Sequence, residues 1–460
     1  MTSTLTTPLP AAAARSASGS GALSPSPLRR RDDWPLLPVL ATVLLLAVPA
    51  GGAVAGTVYG VPAADLLSGV AVLVCLGCLL FLRARPLTPT AAAVLGLPAV
   101  GLALATVTAA DPVAALPGFV RYLQIFVLVP ACVLLLVRDA RGFRTVTGTL
   151  VLLALAQGAT GVHQYATGSG ASYMGEEIRA VGTFGPGDVM GMATVVGYGL
   201  LAAAACAIGA PKGAPRWLRP CALAAAVLLV VPLALSFSRG AWIATAAGAA
   251  AVLVLTGLRQ AVRALAVLSA AGVVLVGGCG VGSEMISQRL TSITEVTSAP
   301  DRSVNDRYTM WAAAVGMWRE HPVAGVGLKG FPAHRDGHAS IALSSGSDTA
   351  GAGQTFRKQP LLSPHNMYLL VLGEQGLIGF TALVGSWAAL LVGGVRRLVL
   401  ARARGSAAVD CGLAAVGLMT WQAVDFVYAD IGGPSTVLTG IVLGLAAWWA
   451  LAAPERTSAA

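Results

Sequence analysis

A histidine and several arginines stand out in a sequence that is otherwise poor in charge. The histidine is His365, which lies directly before a long apolar run. Pro364 suits the first turn of a helix and Ser363 the cap position, so His365 is expected at the helix N-terminus. The helix dipole there disfavours imidazolium and keeps the ring neutral. A neutral imidazole acts as a general base near pH 7, although an interfacial histidine without a role is the plain alternative.

The arginines are suited to binding phosphate, because a guanidinium group stays charged and offers two parallel donors. Arg307 opens a pattern with Trp311, Ala314 and Trp318 at spacings that share one face of a helix. Ser303 together with Asp306 is the expected N-terminal cap of that helix. The alternative is an amphipathic helix on the membrane surface, with its tryptophans at the interface and its arginine on lipid headgroups.

Acidic and histidine side chains supply a second group of candidates. Glu374 follows His365 by nine residues, about 13 Å along a helix. A carboxylate at that depth needs a partner or a water-filled cavity. Asp188, Asp425 and Asp430 resemble it but are less specific, as is His163. The pair His334 and His338 lies in a loop rich in Gly and Ser, so no metal site is predicted.

The elements that must position these residues are membrane helices. The chain has 460 residues, of which 56% are hydrophobic and 11% are charged, whereas soluble domains carry roughly 25% charge. We therefore expect an all-α polytopic integral membrane protein with about 12 transmembrane helices. The predicted spans are 36–58, 63–82, 91–109, 116–137, 145–165, 188–208, 218–237, 241–256, 264–282, 367–394, 407–428 and 433–452.

Basic residues predict how these spans are oriented. With the N-terminus in the cytoplasm, 19 of the 30 Lys and Arg residues fall in the termini and inner connections. Three lie at the outer side in short connections, namely Arg121, Arg179 and Arg239. Such residues either snorkel to lipid phosphates or serve a function. For Arg239, held in a tight turn between two spans, function is the favoured interpretation.

The expected organisation follows from the spans and their orientation. We predict a disordered cytoplasmic tail (1–33), transmembrane helices 1–9 (34–282), an extracytoplasmic catalytic loop (283–365), transmembrane helices 10–12 (366–452) and a cytoplasmic tail (453–460). The protein is expected in the cytoplasmic membrane, with both termini inside. We attribute the net charge of +10 to basic residues that set the orientation of the spans in the membrane, and not to nucleic-acid binding.

Three short series of residues together resemble the bacterial O-antigen ligase/polymerase family over about residues 176–394. They are the turn Ser238-Arg239-Gly240, the series Arg307, Trp311, His321-Pro322 and Gly325-Val326-Gly327, and the series His365-Asn366, Tyr368-Leu369, Glu374-Gln375-Gly376 and Gly379. A stretch from Arg179 to Gly185 is similar to the family's outer-loop motif. The sequence departs after it, with Gly187-Asp188 where many relatives have Pro-Asn, and this leaves the role of Asp188 open.

The resemblance implies a function. Members transfer a glycan from undecaprenyl pyrophosphate to an acceptor hydroxyl outside the cytoplasmic membrane, without a nucleotide sugar, a metal ion or another cofactor. By resemblance, Arg239 and Arg307 hold the donor pyrophosphate and His365 activates the acceptor, and these three are the expected catalytic residues. The expected substrate-binding residues are Arg179, Glu374, Trp311, Asn366 and Arg121.

Several alternatives stay open from the sequence. Ligase, polysaccharide polymerase and protein O-glycosyltransferase share this framework and differ in the acceptor, which is a hydroxyl of a glycan, a lipid or a protein. A polytopic transporter or flippase for a lipid-linked glycan is the alternative from another class. Transporters often show internal repeats and ionisable groups near the midplane, whereas the notable charges here cluster at the outer edge.

Overall fold

The computed structural model describes residues 34–49, 57–58, 61–81, 87–173, 179–188, 190–257, 302–340, 343, 347–351, 357–359 and 361–452. The chain divides into two units, Met1–Trp34 and Pro35–Ala460. Of the first unit only Trp34 is described, and all the helices named here belong to the second.

Helices make up most of the described chain. They are α1 (Leu37–Leu45), α2 (Ala63–Phe81), α3 (Pro89–Val107), α4 (Pro112–Leu136, with a π-helical turn at Gln124–Leu128), α5 (Ala140–Thr167), α6 (Gly191–Gly209), α7 (Leu218–Leu235), α8 (Arg239–Thr256), α9 (Arg302–Glu320), α10 (Phe331–His338), α11 (Met367–Ala403), α12 (Val409–Asp425) and α13 (Val437–Leu451). Two short 3-10 helices, Gly182–Asp188 and Pro434–Thr436, precede α6 and α13.

Short strands occur in the connections. Strands β1 (Thr57–Val58) and β2 (Val61–Pro62) pair antiparallel just before α2. A three-stranded antiparallel sheet contains β3 (Ala171–Tyr173), β4 (Ser347–Gly351) and β5 (Arg357–Gln359), with β4 in the middle. This sheet ties the connection before α6 to the long connection before α11.

The predicted class of a multi-pass helical membrane protein is confirmed. Among the described residues, nine helices are long and apolar enough to cross a bilayer, and each matches a predicted span. The predicted spans 36–58 and 407–428 correspond to the shorter helices α1 and α12. The predicted span 264–282 lies outside the described residues, so the count of twelve stays a prediction.

Polar contacts at one end of the bundle join the connections that were expected in the cytoplasm. Arg144 at the start of α5 donates to both carboxylate oxygens of Asp410 in the first turn of α12, at 2.6 and 2.9 Å. Arg402 of α11 donates to the carbonyl of Thr256 at the end of α8. The connections expected outside the membrane meet one another at the other end, where the candidate residues lie. Which end faces the cytoplasm stays a prediction.

Small residues allow the helices at this second end to approach closely, as is usual in membranes. A Cβ on Gly101 of α3 would lie 2.6 Å from the Cα of Gly379 in α11. Helix α9 packs against α11, where Gly373 of α11 faces Ala314, and Met310, Ala313, Ala314 and Met317 are all fully buried. This helix is therefore part of the protein core and does not simply lie on the membrane surface. It begins at Arg302, so the predicted capping position of Ser303 was wrong.

Helix α11 is interrupted at Gly376, where φ is 61° and ψ is −162°. The interruption frees backbone groups, and the segment after α9 uses them. The amides of Leu377 and Ile378 donate to the carbonyls of Pro322 and Val323, at 2.9 and 3.2 Å. Just before the break, the carbonyl of Glu374 accepts from the amide of Gly327 at 3.0 Å. The segment 322–327 thus packs into the broken helix and holds its outer part in place.

We expect Gly376→Ala to destabilise the protein by an amount on the order of 3 kcal/mol. The backbone conformation there is accessible almost only to glycine, and a Cβ would overlap the carbonyl of Val323. The measurement is the thermal midpoint of the detergent-purified variant. Gly385→Ala is the matched control, because a Cβ at that position of the same helix meets nothing within 4 Å. Equal midpoints for the two variants would contradict the expectation.

Candidate functional site

His365 lies just outside the N-terminus of α11, in an unusual backbone conformation. Its φ is 50°, and the cap is Asn366, whose side chain accepts from the amide of Leu369 at 3.0 Å. The predicted cap at Ser363 with Pro364 in the first turn was therefore wrong. The amide of Met367 donates to the carbonyls of Phe426 and Ala429, at 2.9 and 3.0 Å. The turn after α12 thereby fixes the peptide that carries the histidine.

Trp311 of α9 supports the same peptide from the other direction. Its indole Nε1 donates to the carbonyl of Pro364 at 2.9 Å, and its ring packs edge-on against Tyr308. This contact uses the indole N–H for holding the chain next to His365. The structure thus gives Trp311 a positioning contact, while binding of substrate by Trp311 stays a prediction.

Asp430 is the nearest acidic partner of His365. Its Oδ1 lies 4.0 Å from the Nδ1 of the histidine, with the carboxylate side chain 9% exposed and the imidazole 45% exposed. Desolvation by the surrounding protein lowers the pKa of His365, Asp430 opposes this, and the positive charge of Arg307 lowers the pKa further. The ring is therefore neutral near pH 7, which is the state of a general base. Distances in such pairs are often long before substrate binds.

Asp425 adds a second carboxylate to the region of Asp430. Asp425 at the end of α12 is 5% exposed, and one of its oxygens has no hydrogen-bond partner among the described residues. Arg307 and Asp430 both lie within electrostatic range of Asp425. An arginine next to a pair of acids and a neutral histidine forms a site where charge and protons can be exchanged. Sequence reasoning placed Asp425 and Asp430 only among less specific candidates, since nothing in their spacing links them to His365.

The start of α8, which carries Arg239, lies beside the turn that follows α12. Ser238 caps the helix, accepting from the amide of Ala241 at 3.2 Å, and Phe237 before it has a φ of 48°. Gly240 faces Tyr428, since a Cβ on Gly240 would lie 3.3 Å from that of the tyrosine. Tyr428 belongs to the turn that carries Asp425 and Asp430. The start of α8 therefore borders the turn beside His365.

Arg179 lies next to the end of α7. Its backbone exchanges two hydrogen bonds with Ala171, at 3.0 and 2.7 Å, and the amide of Ala180 donates to the carbonyl of Leu235. Leu235 is the last residue of α7 and leads into the turn before Arg239. The predicted donor arginines therefore lie on connections that meet at one end of the bundle.

Glu374 is buried under the segment that joins α9 to α10. It is 1% exposed, and its Oε1 accepts from the amide of Phe331 at 3.1 Å. Its other oxygen has no hydrogen-bond partner within the described part of the chain. The structure thus gives this carboxylate an anchoring contact, and substrate binding by Glu374 stays a prediction.

Arg121 of α4 links α2 to the connection before α13. Its Nε lies 3.0 Å from the carboxylate of Asp65 in the first turn of α2, and its guanidinium donates to the carbonyl of Gly433 at 2.7 Å. Asp188 completes this network by accepting from the hydroxyl and the amide of Ser435, at 2.7 and 3.2 Å. The side chain of Arg121 is 33% exposed. It therefore holds the protein together and still reaches the surface.

The two histidines of α10 make contacts within the protein. Each Nδ1 lies within 2.9 Å of a backbone carbonyl four residues earlier, and Nε2 of His338 lies 3.0 Å from the carboxylate of Glu320. In the part of the chain that the structure describes, no group of three or more His, Cys, Asp or Glu residues could hold a metal ion. The pair His338 and Glu320 instead fastens α10 to the end of α9.

We expect the thermal midpoint to fall slightly as pH rises through neutrality, because His338 loses its proton. The hydrogen bond to the carbonyl of His334 raises the pKa of His338 above its ordinary 6.5, desolvation opposes this, and Glu320 raises it further. The stabilisation is complete below pH 6.5 and is lost through the raised pKa. Its size is on the order of 0.5 kcal/mol, since Glu320 is well exposed. Glu320→Gln should flatten the pH dependence between pH 6 and 8, and an unchanged profile would count against this pair.

The part of the chain that contains this site matches a known protein family. Residues 224–384 match the family model described as O-antigen ligase. No curated protein and no solved structure matches the chain. The matched range begins in α7 and ends in α11, and it includes Arg239, Arg307 and His365. The resemblance predicted from the sequence is confirmed over residues 224–384.

Proposed function

Because residues 224–384 match the family model described as O-antigen ligase, we propose that the chain is a membrane glycosyltransferase of ligase or polymerase type. It moves a glycan from an undecaprenyl-pyrophosphate carrier to an acceptor hydroxyl outside the cytoplasmic membrane. The observation that carries this proposal is the placement of His365 beside Asp430 and within range of Arg307. These residues are far apart in the sequence and meet at one end of the helix bundle.

In the proposed reaction, the arginines bind the pyrophosphate of the donor. Breaking the bond between sugar and pyrophosphate leaves negative charge on the departing phosphate. Arg239 and Arg307, supported by Arg179, bind that charge through paired N–H donors. Groups fixed in place before the reaction stabilise the developing charge without reorganising. Guanidinium groups thereby take the role that a divalent cation has in many enzymes with phosphate leaving groups.

The acceptor half falls to His365. Its Nδ1 faces Asp430, which leaves Nε2 for the acceptor hydroxyl. The neutral ring removes the hydroxyl proton as the oxygen attacks the anomeric carbon, and the nearby carboxylate stabilises the imidazolium that forms. Direct attack opposite the leaving group inverts the anomeric centre. The acceptor is a hydroxyl of a glycan, a lipid or a protein.

Transfer by purified protein in detergent tests the proposal. The donor is a lipid-pyrophosphate-linked glycan, offered with candidate acceptors in the presence of EDTA and without nucleotides. We expect release of lipid pyrophosphate and a glycosylated acceptor, both lost in His365→Ala. If the donor stays intact while labelled lipid crosses a reconstituted bilayer, the transporter reading replaces this one. Failure of both assays with all donors would also reject the proposed activity.

A further inference from the structure

Strained backbone occurs at a few non-glycine positions of this protein. Among the described residues, three that are not glycine have a positive φ, namely Phe237 at 48°, Lys329 at 63° and His365 at 50°. Such conformations cost on the order of 1–3 kcal/mol and cluster at active sites and ligand clamps. Phe237 precedes Arg239 by two residues, and His365 is the proposed base. The third position, Lys329, has no role in the reaction as described so far.

The backbone around Lys329 is fixed on both sides. Before it, the amide of Leu328 donates to the carbonyl of Ala105 in α3 at 2.8 Å. Gly327 packs so closely on Ala109 that a Cβ would overlap it. After Lys329, the amide of Phe331 donates to Glu374 of α11. The strained residue is therefore held between two helices by the surrounding structure.

The side chain of Lys329 is held over an aromatic ring on α4. Its Nζ lies 4.8 Å from the centroid of Tyr122 and 3.5 Å from its hydroxyl. The stem crosses α4 at Gly118, where a Cβ would lie 2.8 Å from the Cγ of the lysine. Tyr122 is 1% exposed, whereas Lys329 is exposed. A cation over the face of a buried ring is oriented while its charge stays accessible.

Lys329 forms no salt bridge within the described part of the chain, but its charge lies within electrostatic range of the buried carboxylate of Glu374. Lys329 also lies close to the end of α3. Its neighbour Leu328 bonds to the last turn of α3, and Arg121, beside Tyr122, pairs with Asp65 in the first turn of α2. Lys329 thus follows a residue that is bonded to the last turn of α3, and the ends of membrane spans lie near the level of lipid phosphates.

This basic position is connected to the proposed base. Tyr122, under the ammonium of Lys329, lies within electrostatic range of Asp430. The Oδ1 of Asp430 in turn lies 4.0 Å from the Nδ1 of His365. An anion bound over Tyr122 at Lys329 would therefore lie in the same electrostatic environment as Asp430, the partner of His365. The donor arginines Arg239 and Arg179 lie on other connections of the bundle.

We propose that Lys329 binds the phosphate of a lipid-linked acceptor, which gives the protein a second phosphate site beside that of the donor. The inference rests on the proposed function, because it assigns one of that reaction's two substrates. An ammonium group binds phosphate as a compact point charge, and the ring of Tyr122 and the face of Gly118 fix the position of that charge. The acceptor class is therefore an isoprenoid or glycolipid that carries phosphate at its membrane end.

Kinetics with matched variants test this site. Lys329→Met keeps most of the stem on Gly118 and Tyr122 but removes the charge, and Lys329→Arg keeps the charge. We expect Lys329→Met to raise the KM for a phosphate-bearing lipid acceptor at least tenfold, with the donor KM unchanged and with Lys329→Arg close to wild type. Transfer to an alkyl glycoside without phosphate should be unaffected. Lys212→Met, in the connection between α6 and α7, is the control.

Two kinetic results would overturn the inference. One is an unchanged acceptor KM in Lys329→Met. The other is an equal loss with the uncharged acceptor or with the donor, which would make the lysine a purely structural contact. A thermal midpoint equal to that of wild type is required for Lys329→Met to be read as a loss of binding. If it unfolds, Lys329→Gln serves in its place.

Direct binding separates this inference from the proposed function. The probe is a radiolabelled isoprenyl monophosphate without glycan, measured by equilibrium binding in detergent. We expect two sites in wild type, one site in Lys329→Met and one in Arg239→Ala. Two sites with no transfer would reject the proposed function and leave the second site standing. One site in both wild type and Lys329→Met would reject the second site, and so would its displacement by equimolar phosphatidylglycerol, which would identify a general headgroup site.

Discussion

Replacing His365 with alanine is expected to lower glycan transfer by about 10²- to 10⁴-fold, the usual contribution of a general base. Binding of the donor should be unchanged, because the base acts on the acceptor hydroxyl. The measurement is single-turnover transfer together with equilibrium binding of the donor lipid. His163→Ala is the control, since this histidine is exposed on α5. Full activity of His365→Ala would remove the histidine from the mechanism.

The pH dependence of the transfer rate distinguishes a catalytic role of His365 from a structural one. Since the pKa of His365 is lowered by desolvation and by Arg307 and raised by Asp430, activity should decline only below pH 6.5. Asp430→Asn removes the interaction that raises the pKa of His365, so the acid limb of the pH–rate profile should move to lower pH. A lower rate with an unmoved acid limb would mean that Asp430 does not act through the histidine.

Arg307→Ala is expected to cost about 10²- to 10³-fold in the rate of transfer, as does loss of one fixed donor to a developing oxyanion. The guanidinium group would stabilise the departing pyrophosphate, so kcat should fall more than the donor affinity. Arg307→Lys should recover part of the rate, because it keeps the charge but not the two parallel donors. Arg319→Ala on the same helix, at an exposed position, is the control.

Loss of Arg307 should also change the acid limb, in the direction opposite to loss of Asp430. The arginine lowers the pKa of His365, so its removal should move the limb to higher pH. A rate loss in Arg307→Ala without this movement would place the arginine away from the histidine in the working enzyme. An equal loss in Arg319→Ala would point to a general effect of charge on α9.

Hydropathy predicted most of the helices because a membrane span needs about 20 apolar residues, and such runs are visible in one sequence. Helix α3 was predicted at 91–109 and runs from Pro89 to Val107. The interruption of α11 at Gly376 could not be foreseen, since glycine is common in membrane helices that continue unbroken. What breaks the helix is the segment 322–327, which competes for its backbone groups, and that contact is tertiary.

The candidate site was predicted in part for a similar reason. Residue type and sidedness singled out Arg239 and His365, because arginines at an outer edge and a histidine before a span are local features. Asp430 follows His365 by 65 positions, so only the folded chain shows that they are neighbours. Lys329 was overlooked since its φ and its contact with Tyr122 leave no trace in the sequence.

The interruption of α11 also determines where this protein can be divided and recombined. The residues of α11 on both sides of Gly376 are bonded to the segment 322–327, whereas its far end is bonded to α8 through Arg402. A chimera with a related enzyme should therefore exchange residues 302–378 as one cassette, with its second junction beyond Ile378. A junction at Met367, where the apolar run begins, would separate the segment 322–327 from its own partner and combine two surfaces that do not match.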